Sequence, residues 1–255
     1  MLLCPLHHHK ATVEAMLEPE QRSHKSSPFN ITKGTVKGML TVNQETPVIN
    51  LGTCQLVGEG DFILIDGESL LSMRISEGRL QLSMKLYDES DSLVAEVRDN
   101  EWISGDPLPW DLESMFQWLR IRRKLRDIRL EIDARKWPLD ITADIWRKHD
   151  QFHLSSDGIL YSRNGIQFTS MAGLTFVGAR IEADTAKRGI TIGPDPRFGQ
   201  FIIGSEPADV KERVRQGLEA WKQLACEHVF VTIVKRSRYS FEECGKCKKT
   251  NKVWT

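Results

Sequence analysis

The chain has 255 residues, of which 40% are hydrophobic and 27% are charged, values typical of soluble globular proteins. Its 35 Lys and Arg residues balance 35 Asp and Glu residues, so any affinity for nucleic acid must come from local patches. The sequence has no run of about 18 apolar residues, which predicts that no helix spans a membrane. It also shows no signal-peptide pattern, and we therefore expect a cytoplasmic protein.

Residues 1–27 are predicted to form a short, separate segment that is rich in histidine. Pro5 suits the first turn of a helix, and a weak apolar stripe from Ala11 to Met16 continues the helical pattern. The stretch "SHKSSP" that follows has the composition of a linker.

Residues 28–204 are predicted to form a β-rich domain. Short apolar alternations are separated by turn signals, as in "QLSMKLYDESDSLVAEVRDNEWI" and "WLRIRRKLRDIRLEIDA". The "RNG" of Arg163 to Gly165 is a strong hairpin signal. This spacing predicts a mainly β fold, as an antiparallel sandwich, barrel or solenoid.

Residues 205–255 are predicted to form an amphipathic helix followed by a small sheet. The helix is expected over 205–225, with Ser205 as its cap and Pro207 in its first turn. Its apolar stripe consists of Val210, Val214, Leu218, Trp221 and Ala225. Two strand-like runs, Val229–Val234 and Tyr239–Phe241, then lead into the turn "CGKC".

Two close pairs of residues near the C-terminus suggest a zinc site. Cys226 and His228 form the first pair, and Cys244 and Cys247 form the second, with 15 residues between the pairs. Zinc binds four such ligands in a tetrahedron, and a closed set of four protein ligands is structural. We therefore expect a structural Zn²⁺ in a zinc ribbon. A reduced thiol pair and a redox CxxC are the alternatives.

Two clusters of basic residues are candidates for binding nucleic acid. The 30 C-terminal residues contain seven Lys and Arg against three Glu, interleaved with Tyr239, Phe241 and Trp254. The candidates there are Lys235, Arg236, Arg238, Lys248 and Lys249. In the central hairpin they are Arg120, Arg122, Arg123 and Lys124, near Arg126 and Arg129. A solvated sheet face is the alternative interpretation.

Other polar and aromatic residues are expected to have structural roles. Asp61, Asp66 and Glu68 fit turn positions beside a strand better than a cation site. His149 and His153 fit a turn and a strand better than a metal-binding helix. In "WISGDPLPWDLE", we expect a corner that buries the indoles of Trp102 and Trp110.

The opening "LLCPLHHHKAT" resembles the last part of the HNH endonuclease motif. The resemblance implies that His8 binds the catalytic divalent ion, Mg²⁺ or a similar metal. Cys4 and His7 match the positions that help bind a structural zinc in many members. Thr12 stands where some members have a further histidine. The β-rich region that follows also resembles the long tail of some bacterial HNH-type proteins.

The general-base histidine and the structural asparagine of that family precede the matching stretch. In that family the base activates water and the metal stabilises the leaving oxygen. This sequence matches only the metal-binding part of that site. The histidines are half of a nuclease site completed by a second chain or copy, a remnant, or an unrelated run. We therefore expect a nucleic-acid-acting protein, a metal-dependent endonuclease if the site is completed. The alternative is a non-catalytic, zinc-stabilised binding or adaptor module.

Overall fold

The fold is described from a computed structural model of the chain. The structure describes residues 37–104, 111–124, 126–186, 189–197, 202–205, 210–226, 230–235, 239–246 and 249–254, and also Glu18, Pro19 and Arg22. These last three are helical, and Arg22 forms an ion pair with Glu18. The remainder of the predicted N-terminal segment lies outside the described residues.

Strands dominate the described chain, as the sequence predicts. They are β1 Lys37–Met39, β2 Val48–Leu51, β3 Cys54–Val57, β4 Gly60–Ile65, β5 Glu68–Ser76, β6 Arg79–Tyr87, β7 Leu93–Arg98, β8 Glu101–Ser104, β9 Asp111–Met115, β10 Trp118–Lys124, β11 Asp127–Asp133, β12 Leu139–Arg147, β13 Asp150–Ser155, β14 Gly158–Arg163, β15 Ile166–Met171, β16 Leu174–Val177, β17 Ala179–Ala183, β18 Ile190–Pro194, β19 Ile202–Ser205, β20 Phe230–Lys235, β21 Tyr239–Cys244 and β22 Thr250–Trp254. A helix, α1, spans Val210–Leu224.

The strands form two large sheets and one small sheet. Sheet A has the order β1-β8-β7-β6-β5-β4-β17-β18. Sheet B has the order β15-β14-β13-β12-β2-β3-β16-β19, with β9, β10 and β11 added beside β12. Sheet C has the order β20-β21-β22. Residues from sheets A and B share one hydrophobic core, so the β-rich domain is a sandwich.

Local alternation explains the hairpins that were predicted from sequence. In β6, the side chains of Leu80, Leu82, Met84 and Leu86 are buried and alternate with partly exposed ones. Because successive side chains of a strand point to opposite faces, this pattern directs one face into the core. The predicted turn between β14 and β15 is also confirmed, with Asn164 and Gly165 both at positive φ.

Parallel strands connect the two sheets, which the antiparallel prediction did not include. β3 pairs with β16 in sheet B, and their continuations β4 and β17 pair in sheet A, both in parallel. Gly58 lies between β3 and β4, and Gly178 lies between β16 and β17, where each segment passes from sheet B to sheet A. Both glycines have a positive φ. The Gly178 N–H donates to the Val57 carbonyl at 3.1 Å. These two crossing segments, which we call the seam, add a parallel pair to each sheet, and β2 also pairs in parallel with β12 in sheet B.

The predicted C-terminal helix and its two following strands are present, but their boundaries differ. Ser205, the predicted cap, is the last residue of β19, which pairs with β16, and the described helix begins at Val210. The two predicted strands are β20 and β21, and β22 adds a third that the sequence analysis missed. Sheet C is therefore a small antiparallel sheet.

Candidate metal centre

The first candidate ligand, Cys226, follows α1, which packs on sheet B. Val214 and Trp221 are buried in a small cluster with Val57 and Val177. A Cβ atom on Gly58 would lie 2.5 Å from the Trp221 ring, so α1 packs tightly against the seam. The Ala225 N–H donates to the Trp221 carbonyl at 2.9 Å and extends the helical turn to the residue before Cys226.

The second candidate ligand, Cys244, is the last residue of β21. It pairs with Phe230 at the start of β20, and its side chain is fully buried. Its N–H donates to the Lys249 carbonyl at 2.9 Å, which closes the turn between β21 and β22. The backbone thus holds Cys244 at the end of sheet C.

The two sulfur atoms lie 3.7 Å apart. A disulfide requires about 2.05 Å, so these residues are not joined covalently. Two thiolates on one zinc ion lie about 3.8 Å apart, because the Zn–S distance is about 2.3 Å and the geometry is tetrahedral. The separation of the Cys226 and Cys244 sulfurs therefore fits two corners of a zinc–thiolate tetrahedron.

The other two predicted ligands, His228 and Cys247, lie outside the described residues. By chain position, His228 is two residues before β20 and Cys247 is three residues after Cys244. Among the residues that the structure describes, no group of three or more His, Cys, Asp or Glu could hold a metal ion. Of the four predicted ligands, Cys226 and Cys244 are among these residues.

Comparison with protein-family models, curated proteins and solved structures found no match. In the described part of the chain, no helix is long and apolar enough to cross a membrane.

The cations of the central hairpin are largely paired with carboxylates. Arg120 lies 2.9 Å from Glu131, Arg122 forms an ion pair with Glu113, and Arg123 lies 2.8 Å from Asp127. Lys124 is exposed at the end of β10. Because these carboxylates offset the arginine charges, the hairpin attracts phosphate groups less than its composition suggests.

Arg129 is also not on a solvated face. It is buried, and its guanidinium lies 2.5 Å from Glu89 and 3.3 Å from Asp127. Its neighbour Asp144 bonds the Nδ1 of His153 at 2.5 Å, which raises the pKa of His153. Arg129 therefore stabilises the sheet surface, and Arg126 occupies the exposed β10–β11 turn at positive φ.

Few of the remaining predicted site residues are described. Lys235 ends β20, and Lys249 contributes the carbonyl that binds the Cys244 N–H. The candidates outside the described residues are Arg236, Arg238, Lys248, Cys4, His7 and His8. The stretch that resembles the HNH motif therefore lies outside the described residues.

The described acidic and aromatic residues have structural roles, although Asp61 and Glu68 lie on strands β4 and β5 rather than in turns. Asp66 accepts a bond from Lys148 at 2.6 Å, which lowers the pKa of Asp66 to about 2. Glu68 accepts a bond from Lys85 at 2.8 Å. His153 lies on β13, and Trp102 is buried. Trp110 lies outside the described residues.

The burial of one carboxylate was not predicted from the sequence. Asp150 is fully buried, and the Tyr161 hydroxyl donates to its Oδ1. Burial and this carboxylate both raise the pKa of Tyr161. Asp150 follows "RKH" in a sequence that reads as a solvated turn, so no local signal indicates its burial.

Proposed function

We propose that this chain is a zinc-stabilised, β-rich binding module of HNH-like lineage that binds nucleic acid without cleaving it. The observation that carries the proposal is the 3.7 Å separation of the Cys226 and Cys244 sulfurs. These thiolates bind one Zn²⁺, with His228 and Cys247 as the other ligands. A closed set of four protein ligands leaves no position for water or substrate, so the ion is structural.

The zinc stabilises the contact between α1 and sheet C. Cys226 lies two residues after the end of α1, whereas Cys244 is the last residue of β21, and one ion bonded to both sulfurs holds the two segments together. Metal binding of this kind adds directly to folding free energy. Sheet C then presents its residues from a fixed position beside the sandwich.

The charge distribution supports nucleic acid as the ligand. The 30 C-terminal residues contain seven Lys and Arg against three Glu, whereas the chain as a whole is neutral. Positive charge is therefore concentrated on the segment that the zinc stabilises. Lysines and arginines bind phosphate groups, and interleaved aromatic residues stack on bases.

The zinc is tested by metal analysis of protein purified under reducing conditions without chelator. We expect about one zinc per chain, lost in Cys244→Ser because a hydroxyl does not replace a zinc-bound thiolate. Cys54→Ser is the matched control, since Cys54 is also buried but bonds the Met171 carbonyl in sheet B. Zinc-free wild-type protein, or zinc retained by Cys244→Ser, would overturn the proposed site.

Nucleic-acid binding is tested by fluorescence anisotropy with labelled single- and double-stranded DNA at several salt concentrations. We expect Lys248→Ala with Lys249→Ala to weaken binding and reduce the salt dependence by about two charges. The matched control, Arg123→Ala with Lys124→Ala, changes binding less because Arg123 is paired with Asp127. Equal losses in both variants would place the binding surface elsewhere.

The resemblance of "LLCPLHHHKAT" to the HNH motif keeps a metal-dependent endonuclease as the second candidate. In that case His8 holds Mg²⁺ or Mn²⁺, and a second chain or copy supplies the general base. The test incubates supercoiled plasmid with the protein and each ion, beside His8→Ala. Cleavage that requires both the added ion and His8 would establish the nuclease, and no cleavage would leave the binding module.

A further inference from the structure

One end of the sandwich carries a group of exposed apolar side chains that the proposed function does not use. Met39, Met115, Phe116 and Trp137 are 64%, 55%, 68% and 52% exposed. They are four of the eight large hydrophobic residues that are exposed in the described part of the chain. We call these four residues the apolar end.

Backbone hydrogen bonds hold these four residues in neighbouring segments. The Thr41 N–H, two residues after Met39, donates to the Phe116 carbonyl at 2.8 Å. The Ala134 N–H, three residues before Trp137, donates to the Gln117 carbonyl at 2.9 Å. The end of β1, the β9–β10 turn and the β11–β12 turn therefore lie side by side, which brings their apolar residues to the same end of the sandwich.

We propose that the apolar end is the interface of a homodimer, formed with the same surface of a second copy. A symmetric interface brings identical groups together, so a patch with net charge would repel its own copy. Here the flanking charges are balanced. Arg135 bonds Asp133 at 2.8 Å, and Lys136 bonds Asp140 at 2.8 Å. The whole chain is also neutral, so copies approach without long-range repulsion.

The exposed area is sufficient for a weak dimer. A large side chain buries about 200 Å² when it is fully covered, so four side chains that are half to two-thirds exposed offer about 500 Å² per copy. Two copies then bury about 1,000 Å², near the lower limit for specific interfaces. The dimer therefore dissociates on dilution, and Trp137 and Phe116 contribute most to it, as large aromatic residues do in other interfaces.

Another exposed apolar pair in sheet B provides a matched control. Ile166 and Phe168 lie on β15 and are 64% and 44% exposed. β15 pairs with β14, whereas the apolar end lies near β10 and β11. Replacing either pair by serine removes similar apolar area, but only one pair belongs to the proposed interface.

The experiment is sedimentation velocity over a wide range of concentrations at high salt, on zinc-replete full-length protein freed of nucleic acid. We expect a monomer–dimer equilibrium in the wild type. Phe116→Ser with Trp137→Ser should raise the dissociation constant at least tenfold, whereas Ile166→Ser with Phe168→Ser should leave it within twofold. Circular dichroism confirms that both variants are folded.

Two results would overturn the proposal. A wild-type chain that remains a monomer at every concentration would show that the apolar end does not bind its own copy. Loss of the dimer in the Ile166 and Phe168 variant, with no effect of the Phe116 and Trp137 variant, would move the interface to β15. Neither result bears on zinc or nucleic-acid binding, so the proposed function is judged separately.

Discussion

The two ends of the sandwich are held together by different kinds of interaction. At the end opposite the apolar end, which we call the ionic end, charged side chains from sheet B bind carboxylates of sheet A. The Arg147 guanidinium bonds Glu68 at 2.8 Å and Asp91 at 2.6 Å and lies over the Tyr87 ring, 4.5 Å from its centroid. Lys148 bonds Asp66 in the same manner.

The apolar end is joined mainly through the backbone. Besides the bonds to Phe116 and Gln117, the Leu80 N–H of β6 donates to the Gln44 carbonyl at 2.6 Å, and the Leu139 N–H of β12 donates to the Gln44 side chain at 3.2 Å. Gln44 thereby connects both sheets while the apolar side chains remain exposed. The ionic end is thus closed by its own side chains, whereas the apolar end keeps a surface that favours a partner.

The largest effect that distinguishes the ends is expected at Arg147. Arg147→Ala leaves Glu68 and Asp91 partly buried without their guanidinium, which should lower the free energy of unfolding by about 2 kcal/mol. The measurement is urea denaturation near neutral pH. The matched control is Arg74→Ala near the apolar end, where the ion pair with Asp99 is more exposed, and it should cost about 0.5 kcal/mol.

Equal costs for Arg147→Ala and Arg74→Ala would show that the stability of the ionic end depends no more on charge than that of the apolar end.

A smaller effect is expected from the titration of Asp66. Its bond with Lys148 lowers its pKa from 3.8 to about 2 in the folded chain. A carboxyl group with a lowered folded-state pKa stabilises the fold above its unfolded pKa, and this contribution disappears as pH falls from about 4 towards 2. Asp66→Asn should therefore cost about 1 kcal/mol at pH 6 after allowance for solvent screening, and almost nothing near pH 2.

This prediction is checked by the difference in unfolding free energy between Asp66→Asn and wild type across that pH range. Asp61→Asn is the control, since Asp61 is an exposed carboxylate on β4. A difference that did not shrink as pH fell would show that Asp66 acts through its shape or its bond with Thr185 rather than its charge.

The features that could be predicted from the sequence depend on neighbours along the chain. The alternation of β6 and β7 and the charged hairpin of β10 and β11 predicted those strands, because hairpin partners are adjacent in sequence. The spacing of Cys226 and Cys244 from the other two predicted ligands indicated a metal site, and the two cysteine sulfurs lie 3.7 Å apart.

The features that were missed depend on distant partners. β4 pairs with β17 more than a hundred residues later, and no local pattern specifies such a parallel pair. Arg129 is buried because Glu89, 40 residues earlier, lies beside it, so a basic stretch that reads as exposed is partly neutralised. The apolar end likewise combines residues from three separate segments, each of which reads as an ordinary turn or strand end.

The smallest effect on folding is expected at Trp137. Trp137→Ser in dilute protein should change the free energy of unfolding by less than about 0.5 kcal/mol, because an exposed side chain loses little packing. Trp102→Ser is the control. Trp102 is buried near the same end, and removing its side chain should cost about 3 kcal/mol.

The same comparison at high protein concentration tests whether the surface is used. If two copies meet at the apolar end, the wild type gains stability with concentration by mass action, whereas Trp137→Ser does not. The difference in unfolding free energy between wild type and Trp137→Ser should therefore widen as the concentration rises. A loss above about 1 kcal/mol in dilute Trp137→Ser would instead mean that the indole packs on its own chain, and the apolar end would then be closed like the ionic end.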